Sequence, residues 1–291
     1  MLCKKRFALN RIISPSMSLP DFVKFAARLG ISKVELRNDL PGRTGDILDG
    51  LKPADLRNLT RNEGVDSISI NALQKFNLPS RRKACIEELK RLLELSASID
   101  CPAVVLCPNN EQDDARTPKQ KYRDTVDALA EYGSLFAEYG IAGYVEALGF
   151  SISSLSSLPA AAQAVKASGY GCYRVLFDTF HHYIGPDTVG MFGMDGFGAS
   201  YEIAYTGLVH ISGVEDSIPV EQFLDAHRVL IGPQDRMKNK EVIRRLVSAG
   251  YLGVFSFEPF GDAVQKLSPD KLAASIEASL KYLTEPEQDR A

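Results

Sequence analysis

Only four histidines and five cysteines occur in the 291 residues, and the cysteines (Cys3, Cys85, Cys101, Cys107, Cys172) never form a C-x-x-C pair. An odd, scattered set of thiols argues against a disulfide framework or a zinc ribbon and reads as the reduced cysteines of a cytoplasmic protein. No window approaches 18 consecutive apolar residues, so no membrane-spanning helix is expected. The basic start "MLCKKRFALNRII" lacks the unbroken apolar run of a secretion signal, because Asn10 and Arg11 interrupt it, and no small-residue cleavage site follows. Excess positive charge is missing too. A formal net charge of -3 gives no overall field to draw in a phosphate backbone, so neither nucleic acid nor a membrane is an expected partner. Low-complexity tracts, linkers and a mid-chain break in composition are also absent.

What is present is 45% hydrophobic and 24% charged residues, enough apolar material for a sizeable core. Short β-branched or apolar runs alternate with long amphipathic segments. Strands are expected at residues 6–12, 33–37, 65–72, 103–107, 142–148, 173–178, 207–212 and 253–260. Between them, "PDFVKFAARLG" opens with proline and closes on Gly30, while "SRRKACIEELKRLLELSASI" sets Cys85, Leu89, Leu92, Leu93 and Ser96 on one stripe. "TPKQKYRDTVDALAEYGSLFAEYG" and "SPDKLAASIEASLKYL" each begin with a capping residue followed by proline. Eight β-α units in this length predict an α/β fold, a single (β/α)8 TIM barrel over residues 1–291 with a core of about 6–283. A doubly wound open sheet is the rival, but "LNRIISPS" after the first strand has no glycine to build a phosphate loop. The tail "EPEQDRA" reads as frayed.

Barrels of this kind carry their chemistry at the C-terminal strand ends, where the loops converge. Strand five ends on Glu146, strand six on Asp178, strand seven carries His210 near its end and strand eight ends at Glu258. Singly, such an acid is more often a helix cap and such a histidine as often a core imidazole. Together, three carboxylates facing one mouth repel one another unless a cation neutralises them. One divalent metal ion is therefore expected. The oxygen-rich donor set suits Mn or Mg, with Zn or Co also acceptable. His181, three residues past Asp178, is expected to overhang the same mouth as a general acid or hydrogen-bond donor, whereas His182 receives no role. Phe76, Phe150, Phe180 and Phe260 are expected to wall the mouth or, alternatively, to close the core beside the strand ends, and Asn71 and Gln74 to bind hydroxyls or cap the next helix.

With these residues assembled, the chain resembles the xylose isomerase-like barrel superfamily of sugar isomerases and epimerases, from about Phe7 to Leu283, and within it the inosose isomerase branch. The segments that carry the resemblance are "INALQKFN", "YVEALGF", "LFDTFHHYIG", "VHISGVEDSIP" and "FSFEPF". The resemblance implies metal ligands at Glu146, Asp178, His210 and Glu258, catalysis by Glu146, Glu258 and His181, and substrate contacts from Arg228, Glu35 and Arg37. It departs from many relatives at "IGPQDRMKN", where a G-x-G turn is replaced. Ile152 stands where a 3-epimerase branch has a second glutamate, and all four histidines lie between positions 181 and 227, unlike the histidine-rich endonuclease branch. The activity implied is enolisation beside a metal-polarised ketone, converting 2-keto-myo-inositol to 1-keto-D-chiro-inositol or a related cyclic polyol ketone or ketose. Inosose dehydration and sugar epimerisation are the alternatives, with a non-catalytic polyol-binding protein behind them. Homo-oligomerisation stays open.

Overall fold

The computed structural model describes residues 2–187 and 201–285, together with the backbone of residues 192–193 and 196–197. Residues 286–291, most of the tail read as frayed, lie outside the described residues. Eight strands, β1 (Phe7–Asn10), β2 (Lys33–Arg37), β3 (Asp66–Gln74), β4 (Ala103–Cys107), β5 (Ala142–Glu146), β6 (Tyr173–Asp178), β7 (Thr206–Ile211) and β8 (Phe255–Phe257), close in the order β1-β8-β7-β6-β5-β4-β3-β2. All eight pairings are parallel. The fold is a single (β/α)8 TIM barrel. Phe192–Gly193 and Gly196–Phe197 pair antiparallel as a short ribbon apart from it.

Parallel strands covered on both faces lose the polar alternation of a half-wet sheet, and β1 and β4 are buried at every position. The main core lies between the sheet and the helices α1 (Leu19–Arg28), α2 (Pro53–Glu63), α3 (Arg82–Ser98), α4 (Pro118–Tyr139) and α5 (Leu158–Ala167). The expected stripe on α3 is the buried one: Cys85, Leu89, Leu92, Leu93 and Ser96. Ends follow the capping chemistry of the sequence. On α4, Thr117 and Gln120 form a reciprocal capping box with Pro118 in the first turn, and the helix closes on Gly140 at φ 64, a left-handed position that glycine takes without strain. A separate apolar cluster of Ala72, Val105, Cys107, Leu176 and Leu208 comes from the strands alone.

Differences from the expected boundaries have local causes. β1 stops at Asn10 because that side chain accepts from the Ile12 amide at 3.1 Å and turns the chain into a 3-10 turn. β5 stops at Glu146, after which Leu148 bonds across its own loop to Leu155. β8 is shortened by Pro259, which has no N–H for the ladder. The sixth unit departs most. Asp178 caps α6 (Thr179–Ile184), a helix of only 6 residues, so the chain is not extended at His182. Three further helices, α7 (Asn239–Ser248), α8 (Asp262–Gln265) and α9 (Pro269–Thr284), complete the shell; Ser268 precedes α9 without a side-chain cap.

Candidate metal centre

Three neighbouring strands and the residue after β8 bring the candidate ligands together. Asp178, the last residue of β6, stands in register with His210 on β7, which in turn pairs with Ser256, two residues before Glu258. Glu146, Asp178, His210 and Glu258 are all buried, and one donor atom from each lies within 4.8 Å of the others. From Nδ1 of His210, Oε2 of Glu258 is 3.0 Å away, Oε1 of Glu146 3.7 Å and Oδ2 of Asp178 4.0 Å. That nitrogen is buried and makes no hydrogen bond of acceptable geometry. It points among carboxylate oxygens, as a nitrogen ligand of a cation would.

Charge favours a divalent ion. Burial disfavours the ionised forms of Asp178, His210 and Glu258, yet His210, Arg228 and Arg37 hold Glu258 well below the usual carboxylate range. Asp178 goes the other way, raised by burial and the nearby Glu258 charge against the pull of Arg228 and His210. Burial alone would lower His210, but Glu258 and Glu35 push it well above the usual imidazole value. The buried carboxylates Glu35, Glu146, Asp178 and Glu258 face two buried guanidiniums, Arg37 and Arg228. The same two arginines also serve Asp39 and Asp225, so the cluster carries an excess of negative charge that a divalent ion would offset. The donor set of three carboxylates and one imidazole therefore fits such an ion in chemistry as well as in position.

Asp178 does two things at once. Its Oδ1 accepts from the amides of Phe180 and His181 at 2.7 and 3.3 Å, capping α6, while Oδ2 turns to the ligand cluster. The cap reading is met by one oxygen of the carboxylate, which leaves the other turned toward the candidate ligand cluster. Gly149 makes this packing possible, since a Cβ there would lie 2.0 Å from the His181 carbonyl oxygen.

Two arginines brace the carboxylates. Nη2 of Arg228 donates to Oδ2 of Asp178 at 2.7 Å and Oε2 of Glu258 at 2.9 Å, Nε to Ser212 and Nη1 to Asp225. Its guanidinium carbon lies 4.9 Å from the ring centroids of both Phe180 and Phe260. Arg37 donates to Oε1 of Glu258 at 2.7 Å, grips Asp39 with two bonds and lies over Phe260 at 5.2 Å.

A cavity of about 180 Å3 opens beside the cluster. It is smaller than the roughly 300–1,000 Å3 that accommodates drug-sized ligands. Of the expected contacts, Arg37, Asn71, Gln74, Phe150, His181, Arg228 and Phe260 line it together with Glu146 and Glu258. Burial lowers the His181 imidazole below its ordinary value, so it faces the cavity neutral. Three expected residues lie elsewhere. Glu35 is fully buried beneath the cluster, its carboxylate against His210. Phe76 belongs to the main core, where its carbonyl accepts from the Tyr132 hydroxyl. Phe180 packs with Val214, Phe223 and Met237. Ile152 is 37% exposed and does not line the cavity. The departing "IGPQDRMKN" stretch is organised by Asp235, whose carboxylate accepts from the amides of Val214, Met237 and Asn239.

Several site residues are not apparent from sequence reasoning: Asn10, Asp39, Cys107 and Asp225. Asn10 ends β1 and Cys107 ends β4, so the strand-end rule applied to strands one and four would have found both. Asn10 donates to Glu258 and Glu35 at 3.2 and 3.3 Å. Cys107 donates its thiol to Oε2 of Glu146 at 3.1 Å. Asp39 and Asp225 carried no signal beyond being polar loop residues.

The chain matches the family described as xylose isomerase-like TIM barrel over residues 23–285. No curated protein matches it. A xylose isomerase domain containing protein from Salmonella typhimurium LT2 shares 34% identity, with 98% of this chain and 99% of that chain covered and a TM-score of 0.89. The IOLI protein with a bound zinc atom shares 18% identity over 96% of this chain and 97% of its own, with a TM-score of 0.84. D-psicose 3-epimerase from Clostridium cellulolyticum H10, solved with D-tagatose, shares 16% over 96% of this chain and 99% of its own, at 0.71. At these last two identities the likeness is one of fold.

Proposed function

Because the chain belongs to the xylose isomerase-like TIM barrel family, we propose that its strand-end site isomerises a small uncharged polyol ketone, with 2-keto-myo-inositol to 1-keto-D-chiro-inositol as the best-fitting conversion. The observation that carries this reading is the convergence of Glu146, Asp178, His210 and Glu258 within 4.8 Å beside a small cavity. Glu146, Asp178, His210 and Glu258 would hold a divalent ion, which would supply Lewis acidity toward a ketone and so acidify the neighbouring C–H.

The residues then divide the proton work. Glu258 accepts from Arg37, Asn10 and Asn71 on Oε1 and from Arg228 on Oε2, which holds it ionised and makes it a poor base. Among the described residues Glu146 receives the weak Cys107 thiol on Oε2, and its Oε1 lies 3.7 Å from Nδ1 of His210, with no arginine or amide donor on either oxygen. Glu146 is therefore the group that takes the proton from one carbon and returns it to the former carbonyl carbon. His181, neutral and lining the same cavity, carries the other proton between the two oxygens. Glu258 acts as ligand and as a fixed negative wall.

Charge around the cavity supports an uncharged substrate. Both lining arginines are already matched by carboxylates, Arg37 by Asp39 and Glu258, Arg228 by Asp178, Glu258 and Asp225. Residues 188–200 contain no lysine, arginine or histidine to add a cation. A phosphorylated ketose or a keto acid brought to this mouth meets Asp39 and Asp225 unpaid by any spare positive charge, and its enzyme-dependent exchange is expected to be at least about tenfold slower than that of the uncharged ketone. Equal rates for the charged and uncharged ketones would remove the substrate assignment.

The direct test incubates metal-loaded protein with the inosose in heavy water. Deuterium should enter beside the carbonyl, and the product should be a shifted ketone with no new ultraviolet absorbance. An unsaturated, ultraviolet-absorbing product makes the protein a dehydratase, and a stereoisomer with the carbonyl unmoved makes it an epimerase. Absence of exchange with Mn, Mg, Zn and Co defeats the reading.

A further inference from the structure

We infer that Glu35 is a positioning residue for the metal centre rather than a substrate contact, fixing the orientation and tautomer of His210 from beneath. This rests on the strand-end cluster being a metal site. Glu35 sits in the middle of β2 with no exposed surface, in register with Asn10 on β1 and Ser69 on β3. Its two oxygens are 3.0 and 3.1 Å from Nε2 of His210. Ser69 donates its hydroxyl to Oε2, and Asn10 donates its amide to Oε1 at 3.3 Å.

An ionised carboxylate accepts and never donates, so the hydrogen between it and Nε2 belongs to the imidazole. In the neutral ring this leaves the lone pair on Nδ1, the nitrogen that faces Glu146, Asp178 and Glu258. A carboxylate behind a ligating histidine fixes the ring and raises its basicity toward the ion. Asn10 extends the brace, because the amide that touches Glu35 also touches Glu258. The cluster is thus held from below by a layer of strand residues that no ligand in the cavity reaches.

The test measures zinc affinity of full-length wild type, Glu35→Gln and Glu35→Ala by competition with a chromogenic chelator, with cobalt-substituted spectra alongside. Glu35→Gln is expected to bind zinc roughly 10- to 100-fold more weakly, with shifted cobalt bands and unchanged far-ultraviolet circular dichroism. Glu35→Ala, which lacks any acceptor, should lose at least as much. A second measurement avoids variants: nitrogen-15 NMR of the zinc-loaded wild type should show a proton on Nε2 of His210, protected from exchange. Zinc binding within twofold of wild type in both variants, or a proton found on Nδ1, overturns the role of Glu35 while leaving the metal centre standing. Failure of wild type itself to bind zinc overturns both.

Discussion

Glu146→Gln is expected to slow deuterium exchange into the inosose by roughly 100- to 10,000-fold, the range a positioned general base supplies. The amide keeps the size of the side chain and an oxygen that can still ligate, but it has no basic lone pair to take a proton. Metal content should therefore fall less than turnover. The contrast with Glu258 is structural: four nitrogen donors hold that carboxylate ionised, whereas Glu146 faces a thiol. Measuring exchange by mass spectrometry at saturating metal separates loss of chemistry from loss of the ion. Exchange within tenfold of wild type, with metal bound, would show that Glu146 is a ligand and that the base lies elsewhere.

The second large effect concerns stability. Arg228→Met removes the guanidinium that bridges Asp178 and Glu258, leaving buried carboxylates without their counter-charge. Breaking such a pair costs about 3–5 kcal/mol, and the lost contact with Phe180 and Phe260 adds to it. In excess chelator the melting temperature should drop on the order of 10 °C. Divalent metal at about 1,000 times its dissociation constant should then return roughly 4 kcal/mol, since it binds only the folded state. Thermal unfolding of both proteins with and without chelator checks this. If the variant melts within two or so degrees of wild type in chelator, on the order of a fraction of a kcal/mol, the arginine is not what compensates these acids.

Much of this site was legible because a strand end is where a side chain must leave the core. Glu146, Asp178, His210 and Glu258 each interrupt an apolar run, and an interruption at the same place in neighbouring strands is visible without coordinates. What stayed hidden depended on register and on packing between elements. Glu35 and Phe76 were expected at the mouth, but which way a residue on or beside a strand points reverses with a one-residue slip, and both are turned away from the cavity. Asn10 was passed over because a short amide at a strand end resembles an ordinary cap, which it also is. The stacking of Arg228 between two phenylalanines joins α6, the loop after β8 and a segment following β7. No spacing in the sequence announces it.

Asp178 carries a consequence for redesign. Because its two oxygens serve the first turn of α6 and the acidic cluster separately, the helix that presents His181 is bolted to the floor of the candidate metal site. Attempts to re-aim that imidazole toward a bulkier ring by lengthening the Asp178–His181 spacing will disturb the geometry of the proposed metal site in the same stroke. New specificity is more accessible from the opposite wall, through Gln74, Asn110 and Leu148, which border the cavity without anchoring its base.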